Sequence, residues 1–419
     1  MKINANINKV KTSATLEINE KSKFLEKKGK QIYKFGLGQS PFPVPKNIVT
    51  ELKKNSHQKN YLNVSGLEDL RVAVSKYHSK KNKFNYLENN VMIGPGSKEL
   101  IFQTQLVLNS DLLLPAPSWV SYEPQAKILN KKTIWIQTYK KNKWHLTGND
   151  LEKICKKSKK NKLLILNSPN NPSGTSNEYL KQIAKIAKKY KVIIITDEIY
   201  AELDFSGAYK SITHYYPEGT IISSGLSKWC GAGGWRIGTM IFPKKLSYIK
   251  DAIRNVASET FTSVSAPIQF AAIKAYSEDH QNFLDKSRKI LKFISKYIYS
   301  EFTSNNIECV KPDGGFYMLC DFSKIKKIKT FKFKNSQEMC KKILSETGFA
   351  MLPGSDFGFK KNKLIARIAF VDFNGTKALQ LFRLFKKSTS NKIIKKLFPN
   401  IFNGVKTLLN WLNDKKNNE

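Results

Sequence analysis

Leu163-Leu-Ile-Leu166 begins the part of the sequence that decides the fold class. It is followed directly by Asn167-Ser-Pro-Asn-Asn171-Pro-Ser-Gly174 and, further on, by Val192-Ile-Ile-Ile-Thr196. The first and last of these runs are almost wholly apolar, which is typical of strands buried on both faces of a parallel sheet. Between them, Glu178–Tyr190 carries its apolar residues on one helical face. Strand, helix and strand in this order predict a βαβ unit.

Working outward, the same pattern recurs along the chain. Further short apolar runs predict strands at Leu112–Leu114, Thr133–Ile136 and Thr220–Ser223. From about Asp285 the pattern changes, and strands are predicted at Phe316–Asp321 and Ala366–Phe370. The sequence therefore predicts an α/β fold with a smaller α+β domain. In parallel sheets the site lies beyond the carboxyl ends of the strands, so the loops that follow them hold the candidate residues.

The predicted domain limits are 46–285 for the large domain, 1–45 with 286–390 for the small domain and its N-terminal arm, and 391–419 for a C-terminal extension. Lys324–Lys334 is predicted to be an exposed basic loop. In the extension, Ile401, Val405, Leu408 and Leu412 form one helical stripe. We expect a helix docked on its own subunit; a peripheral membrane or partner contact and a disordered tail are the alternatives.

The net charge of +39 over 419 residues raises nucleic acid or an anionic membrane as partners. The excess comes from 66 lysines, however, beside only six arginines. Arginine is the residue that reads phosphates and base edges bidentately. We therefore interpret most of the charge as solvated surface and expect no nucleic-acid partner.

Five widely spaced cysteines without a Cys-x-x-Cys pair predict neither a disulfide framework nor a metal site, and they suit a reducing compartment. The N-terminal residues lack the apolar run of a secretory signal. No stretch is apolar enough to predict a transmembrane helix. These features together predict a cytoplasmic location.

The segment Gly225-Leu-Ser-Lys228-Trp-Cys-Gly-Ala-Gly-Gly-Trp-Arg236-Ile-Gly238 follows a predicted strand. Small residues around Lys228 would let a ligand approach the backbone closely. A lysine amine can form a Schiff base with an aldehyde cofactor, of which pyridoxal 5′-phosphate (PLP) is the common case. Arg236 is informative because the chain hardly uses arginine.

A PLP site makes further demands, and residues that could meet them follow the predicted strands. The pyridine nitrogen needs a carboxylate, which Asp197 could supply, with Tyr200 three residues later. An acidic residue capping a helix is the plainer alternative for Asp197. Asn171, between two prolines, could donate to the ring oxygen, although Asn-Pro is common in turns.

The phosphate and the substrate carboxylate make demands of their own. Gly94-Pro-Gly96-Ser97-Lys98 precedes a helix predicted over Glu99–Leu108, whose first N–H groups could bind phosphate. Trp119 could stack on the ring or simply belong to the core. Arg367 lies inside an apolar strand, where a charge needs a reason, and arginine is the best clamp for a carboxylate.

These motifs occur in the order in which class I/II aminotransferases of the fold-type I PLP group carry them. Gly225–Gly238 is similar to that family's lysine signature, and Asn-Asn171-Pro-Ser-Gly, Asp197-x-x-Tyr200 and Pro312-Asp-Gly-Gly-Phe-Tyr317 also match. The resemblance implies an α/β fold in which a large domain has a mostly parallel seven-stranded sheet between helices, accompanied by a smaller α+β domain.

The resemblance also implies roles for individual residues. Lys228 resembles the Schiff-base lysine and proton carrier, Asp197 the pyridinium partner, and Tyr200 and Asn171 the donors to the ring oxygen. Trp119 resembles the residue that stacks on the cofactor ring. The residues that resemble the family's phosphate contacts are Gly96, Ser97, Lys98, Ser227 and Arg236. Arg367, with the backbone at Gly38, resembles the clamp for the substrate carboxylate. Tyr61 is similar to the tyrosine that reaches a neighbouring subunit's phosphate, which implies a homodimer with shared active sites.

The implied activity moves an amino group from an L-amino acid to a 2-oxo acid, with 2-oxoglutarate the expected acceptor, by a ping-pong mechanism. The donor could be aspartate, or the specificity could be broad towards aromatic and methionine-like side chains. Phe261, aligned where one branch has an arginine, and Phe42 favour the second possibility. A PLP-dependent carbon–sulfur β-lyase on the same fold is the alternative activity.

Overall fold

The computed structural model describes residues 1, 3–10, 14–383 and 391–414. Its larger sheet has seven strands, and their bounds are β1 Val91–Gly94, β2 Asp111–Ala116, β3 Thr133–Gln137, β4 Lys162–Asn167, β5 Ile193–Asp197, β6 Thr220–Gly225 and β7 Gly238–Ile241. Their spatial order is β1-β7-β6-β5-β4-β2-β3, and β7 runs antiparallel to its two neighbours. The mostly parallel sheet of the prediction is confirmed.

Helices cover both faces of this sheet. The helices from the N-terminus to residue 304 are α1 Ala14–Lys27, α2 Lys46–Lys54, α3 Glu68–Asn82, α4 Ser97–Val107, α5 Tyr122–Ile128, α6 Gly148–Lys156, α7 Leu180–Lys189, α8 Ser247–Ser258, α9 Ala266–Ser277 and α10 Gln281–Ser304. Of these, α4, α5 and α8 pack on one face of the sheet, and α6 and α7 pack on the other. Strand β4 shows how the layers form, because Leu163 packs into the core on one face and Leu164 into the core on the other. Helix α7 buries Ile183 and Ala187 beside Leu164, as its apolar face predicts.

A second, four-stranded antiparallel sheet carries the rest of the site. Its strands are β8 Glu308–Cys309, β9 Tyr317–Asp321, β10 Leu352–Pro353 and β11 Ile365–Ala369, in the order β10-β11-β9-β8. Helices α11 Lys326–Thr330, α12 Ser336–Thr347 and α13 Gly375–Gln380 accompany it. The smaller α+β unit is thus observed, while the residue limits predicted for the domains remain a proposal.

The prediction of an exposed basic loop at Lys324–Lys334 is wrong in part. Helix α11 lies inside the segment, and Ile325, Lys327 and Ile328 are buried, whereas its other lysines are exposed as predicted. The Lys327 ammonium donates to the Trp411 carbonyl oxygen at 2.7 Å and lies 4.6 Å from that residue's ring centroid. A partner 84 residues away supplies the burial, so local charge could not reveal it.

The chain ends in two helices, α14 Asn391–Leu397 and α15 Pro399–Asn413. The predicted stripe of α15, including Ile401 and Leu408, is buried against the same chain, so docking on its own subunit is confirmed. Residues 384–390 of the predicted small domain and 415–419 of the extension lie outside the described residues, as do 2 and 11–13 of the N-terminal arm. Within the described ranges, no helix is both long and apolar enough to cross a membrane.

Candidate active site

Four parallel strands end at one edge of the large sheet, and their following residues meet there. Trp119 follows β2, Asn171 follows β4, Asp197 ends β5, and Ser227 with Lys228 follows β6. The small sheet and an N-terminal segment close the opposite side and leave a cavity of about 520 Å³. Its lining is Leu37, Gly38, Gln39, Ser97, Lys98, Trp119, Asn167, Asn171, Asp197, Ile199, Tyr200, Ser227, Lys228, Gly233, Gly234, Arg236, Tyr317 and Arg367.

Lys228 projects into this cavity, and its Nζ donates to the Gly38 carbonyl oxygen at 2.8 Å. Burial, and secondarily the positive charge of Arg367, lower the pKa of Lys228 to about 8, although Asp197 opposes the shift. A substantial fraction of this amine is therefore neutral at mildly alkaline pH. A neutral amine is the form that attacks a carbonyl carbon or accepts a proton.

Asp197 is buried, and its Oδ2 accepts a hydrogen bond from the Tyr122 hydroxyl at 2.6 Å. Burial raises the pKa of Asp197 to about 6, while the bond from Tyr122 opposes that shift. The carboxylate is thus charged at neutral pH but costly to keep charged. Tyr122 was not among the predicted site residues, and its place three residues after Trp119 was the available signal.

Tyr200 and Tyr317 form a buried pair whose hydroxyl oxygens lie 2.9 Å apart. Tyr317 begins β9, and a Cβ on Gly38 would fall 1.9 Å from its hydroxyl oxygen. Glycine at position 38 is therefore required for this packing. Tyr317 was part of a quoted motif but was not among the predicted site residues, because only the pairing of β9 with β11 brings it to the cavity.

Arg367 lies on β11 and is only 3% exposed. One nitrogen, Nη1, donates to Asn171 Oδ1 at 3.1 Å, and Nη2 donates to the Gly36 carbonyl oxygen. Its guanidinium carbon lies 4.5 Å from the Tyr317 ring centroid, while Nε has no hydrogen-bond partner among the described residues. Burial lowers the pKa of Arg367. A buried guanidinium with a spare donor suits an anion in the cavity.

The other end of the cavity is built on the first turn of α4. Gly96 precedes this helix with φ +92°, and a Cβ there would fall 2.3 Å from Arg236 Nη2. The guanidinium donates to the Gly233 and Pro95 carbonyl oxygens. Together with Ser97, it presents positive charge at a helix N-terminus, which is an arrangement that binds phosphate.

Trp119 completes the cavity as a flat wall. The Lys98 ammonium lies 5.0 Å from its ring centroid, and the Tyr122 ring packs edge-on against it at 5.3 Å between centroids. Burial and the neighbouring Arg236 charge lower the pKa of Lys98. An aromatic face at this place can stack on a planar ring.

Two of the predicted site residues do not line the cavity. Gly96 packs against the Arg236 guanidinium without lining the cavity itself, and Tyr61 is 89% exposed at the surface of the chain. The two phenylalanines offered as specificity residues are also elsewhere. Phe42 packs against Phe283 and Phe373, and Phe261 packs at the edge of the core behind α4.

Comparison with known proteins agrees with this geometry. Residues 30–374 match the family model described as aminotransferase class I and II. An aspartate aminotransferase of Bacillus sp. (strain YM-2) is 31% identical over 84% of this chain and 91% of its own length. An asparagine–oxo-acid transaminase of Streptococcus mutans is 29% identical over 86% and 93%, respectively.

Solved structures share the fold. The aspartate aminotransferase from Thermus thermophilus with maleate superposes with a TM-score of 0.82 at 23% identity, covering 92% of this chain and all of that one. The chain belongs to the class I and II aminotransferases. It is accordingly a PLP-dependent transaminase, which moves an amino group between an amino acid and an oxo acid. The alternative of a β-lyase is not favoured.

The residues present fit this cofactor. The cavity offers an amine of lowered pKa at Lys228, a buried carboxylate at Asp197 and an aromatic wall at Trp119. A helix N-terminus with Arg236 supplies a phosphate site, and the orphaned Nε of Arg367 leaves a donor for a second anion. The aldehyde, ring nitrogen, ring face and phosphate of PLP and the carboxylate of an amino acid thus have chemical counterparts in the cavity.

Proposed function

We propose that this cavity is the transamination centre, with Lys228 as the residue that carries the cofactor and moves the proton. When PLP is bound, its protonated ring withdraws electrons from the substrate's α-carbon, which makes the α-proton removable. The single observation that carries the proposal is the buried Lys228 amine, whose pKa is lowered to about 8 beside Asp197 and Arg367. An amine of this basicity can take up and return a proton near neutral pH.

The surrounding residues have distinct tasks in this proposal. Asp197, held by Tyr122, would keep the ring nitrogen of the cofactor protonated. Tyr200 and Asn171 would donate hydrogen bonds to the ring oxygen, and Trp119 would supply the aromatic face for the ring. Gly96, Ser97, Lys98, Ser227 and Arg236 form the phosphate cradle at the start of α4.

The substrate end is built around Arg367. Its side chain is already fixed by Asn171 and by the Gly36 carbonyl oxygen, so it needs little reordering to bind an α-carboxylate. The backbone at Gly38 lies next to it and also accepts from Lys228. An amino acid held by its carboxylate at Arg367 would place its α-carbon within reach of the Lys228 amine.

We propose an acidic donor, with aspartate the first candidate and 2-oxoglutarate the acceptor. The cationic side chains that line the cavity, Lys98, Lys228, Arg236 and Arg367, outnumber its one carboxylate, Asp197. A bound phosphate and one substrate carboxylate would offset this excess of three positive charges, so the preference for an acidic donor rests on the relatives. The aspartate aminotransferases and the asparagine–oxo-acid transaminase among the relatives support the same class.

A matched pair of donors tests this preference. L-Aspartate and L-asparagine have nearly the same shape but differ by one charge. We expect kcat/KM with 2-oxoglutarate to be higher for aspartate and to fall more steeply with salt, because the chain's net charge of +39 attracts anionic aspartate but not neutral asparagine. A higher value for asparagine, methionine or phenylalanine would refute the acidic preference, and equal salt slopes would remove its electrostatic basis.

We further propose a homodimer with shared active sites. Tyr61 is 89% exposed, and the N-terminal segment exposes Ile3, Leu16 and Phe24, as a surface covered by a second copy would. Co-expression of Lys228→Ala and Tyr61→Ala chains tests the sharing. Each homodimer should be impaired, whereas the mixed dimer should regain one intact site. Failure of the mixture to exceed the Tyr61→Ala homodimer would contradict a role for Tyr61 across the interface.

We propose a cytoplasmic location for the enzyme. The support is that all five cysteines are free thiols, including Cys309 and Cys320, which lie side by side. Thiols so placed persist in a reducing compartment. Fractionation of the native cells with an activity assay would test it, and activity confined to a secreted or periplasmic fraction would overturn it.

A further inference from the structure

Two cysteines lie opposite each other on neighbouring strands of the small sheet, and neither lines the transamination cavity. Cys309 on β8 and Cys320 on β9 are direct partners in the antiparallel register, and their sulfur atoms lie 3.4 Å apart. Opposed residues in such a pair have Cα atoms roughly 4.5 to 5.5 Å apart. That separation lies inside the range of about 4.4 to 6.8 Å that a disulfide spans. The backbone therefore already has the spacing that a disulfide requires.

The two thiols differ in access. Cys320 is fully buried, and burial raises its pKa well above the usual value for a thiol. Cys309 is partly exposed and lines a separate surface cavity of about 290 Å³ together with Lys140 and Lys324. Both lysines pair with Glu308, which also lines this cavity, so two positive charges and one negative charge leave a net charge of +1 there. The other three cysteines, Cys155, Cys230 and Cys340, are buried.

We propose that Cys309 and Cys320 form a reversible redox pair whose reagent is a small anionic disulfide of the glutathione type. Cys309 is the thiol that meets the reagent, and Cys320 is the thiol that resolves the product. The flanking lysines favour a negatively charged reagent in the cavity. This inference is independent of the substrate that the transaminase uses.

The chemistry balances without any other reactant. The Cys309 thiolate attacks one sulfur of the reagent, which breaks the reagent's sulfur–sulfur bond, forms a mixed disulfide and releases one thiolate. The Cys320 thiol, on losing its proton, then attacks the Cys309 sulfur and releases the second thiolate. The two protons from the cysteines go to the two released thiols. The protein pair is oxidised by two electrons, and the reagent is reduced to two thiols.

The bond would close a ring around residues 310–319, which lead into the active site. Within that ring, the backbone N–H groups of Asp313 and Gly314 donate to the Gly174 carbonyl oxygen at 2.8 and 2.9 Å. Tyr317, also in the ring, lines the transamination cavity. A cross-link here restricts the unfolded chain more than the folded one. The oxidised enzyme should therefore unfold at a higher temperature than the reduced enzyme.

The experiment uses full-length holoenzyme incubated with oxidised glutathione and then denatured for thiol counting and peptide mass analysis. Wild type should lose two of its five thiols, retain no glutathione, carry one link between Cys309 and Cys320, and recover all five thiols in dithiothreitol. Cys320→Ser should stop with glutathione attached to Cys309. Cys340→Ser, the matched control, should still lose two thiols.

Thermal unfolding supplies a second measurement. Oxidation should raise the Tm of wild type and of Cys340→Ser but not that of Cys309→Ser. Before oxidation, Cys309→Ser should turn over like wild type, because Cys309 does not line the transamination cavity. The proposal is overturned if all five thiols survive oxidised glutathione, if wild type keeps a mixed disulfide, or if the link joins any other pair.

Discussion

Replacing Asp197 by asparagine should stabilise the cofactor-free enzyme while it weakens the holoenzyme. In the cofactor-free chain, Asp197 is buried and its pKa is raised from 3.8 to about 6. Each pKa unit corresponds to about 1.4 kcal/mol, so holding the charge at neutral pH costs the fold about 3 kcal/mol. Asparagine has nearly the same shape and carries no charge to bury. It can still accept a hydrogen bond from the Tyr122 hydroxyl.

The sign of the pH dependence follows from the raised pKa. Below about pH 3 the carboxyl group is protonated in both the folded and the unfolded chain, so the penalty is absent. As the pH rises to about 6, the unfolded chain has already lost the proton while the folded chain still largely holds it, and stability is lost. Cofactor-free Asp197→Asn should therefore gain up to about 3 kcal/mol over wild type at pH 7.5 and almost nothing near pH 3.

Thermal or denaturant unfolding of both cofactor-free proteins at several pH values measures this difference. Asp69→Asn, which removes an exposed carboxylate, is the control and should change stability little. Adding PLP should reverse the order, because wild type then has a cation against Asp197 and the variant does not. The reasoning is refuted if cofactor-free Asp197→Asn is no more stable than wild type at pH 7.5, or if its advantage does not depend on pH.

Three further perturbations probe the rest of the site. The rate at which cofactor-free enzyme takes up PLP should rise with pH and level off above about 8, because the pKa of Lys228 is lowered to that value from the usual 10.5. Arg367→Gln removes a positive charge beside Lys228 and should move the midpoint of this pH profile upward. A midpoint near 10 in wild type would contradict the environment assigned to Lys228. Arg367→Lys should lower kcat/KM for amino acids about 10- to 100-fold, because one charged hydrogen bond to the substrate carboxylate is lost. An amine without a carboxylate should show no such loss, and equal losses for both substrates would exclude a carboxylate-binding role for Arg367. Gly404→Ala would bring a Cβ within 2.7 Å of Phe35 and disturb the segment that leads to Gly36. It should lower the free energy of unfolding by about 1–3 kcal/mol and raise the KM for amino acids, whereas the control Asn403→Ala, at an exposed position, should do neither. A Gly404→Ala enzyme with wild-type Tm and KM would show that α15 does not support this segment.

The sequence was most informative where a residue contradicts its local setting. Arg367 could be singled out because a charge inside an apolar strand needs a partner, and Lys228 because it is enclosed by small residues after a strand. Asp197 and Asn171 could be placed because parallel strands end at one edge of a sheet. In each case, local pattern and general topology were sufficient to bring the residue to the cavity.

Residues that act through distant contacts were not predictable in this way. Tyr122 holds Asp197 across 75 residues of sequence, and Tyr317 reaches the cavity only through the pairing of β9 with β11. The buried Lys327 is explained by Trp411 on the terminal helix, so this one lysine in an otherwise exposed run could not be distinguished from its neighbours by sequence. Strands β1 and β7 are short and end or begin in glycine, which leaves little periodic signal.

We propose that one lysine among 66, Lys228, carries the cofactor. Loading the enzyme with PLP, fixing the bond with borohydride and mapping the modified peptide tests it directly. We expect one reduced cofactor per chain, attached to the peptide that contains Lys228, and none in Lys228→Ala. Label on a different lysine, or an equally labelled Lys228→Ala chain, would contradict it.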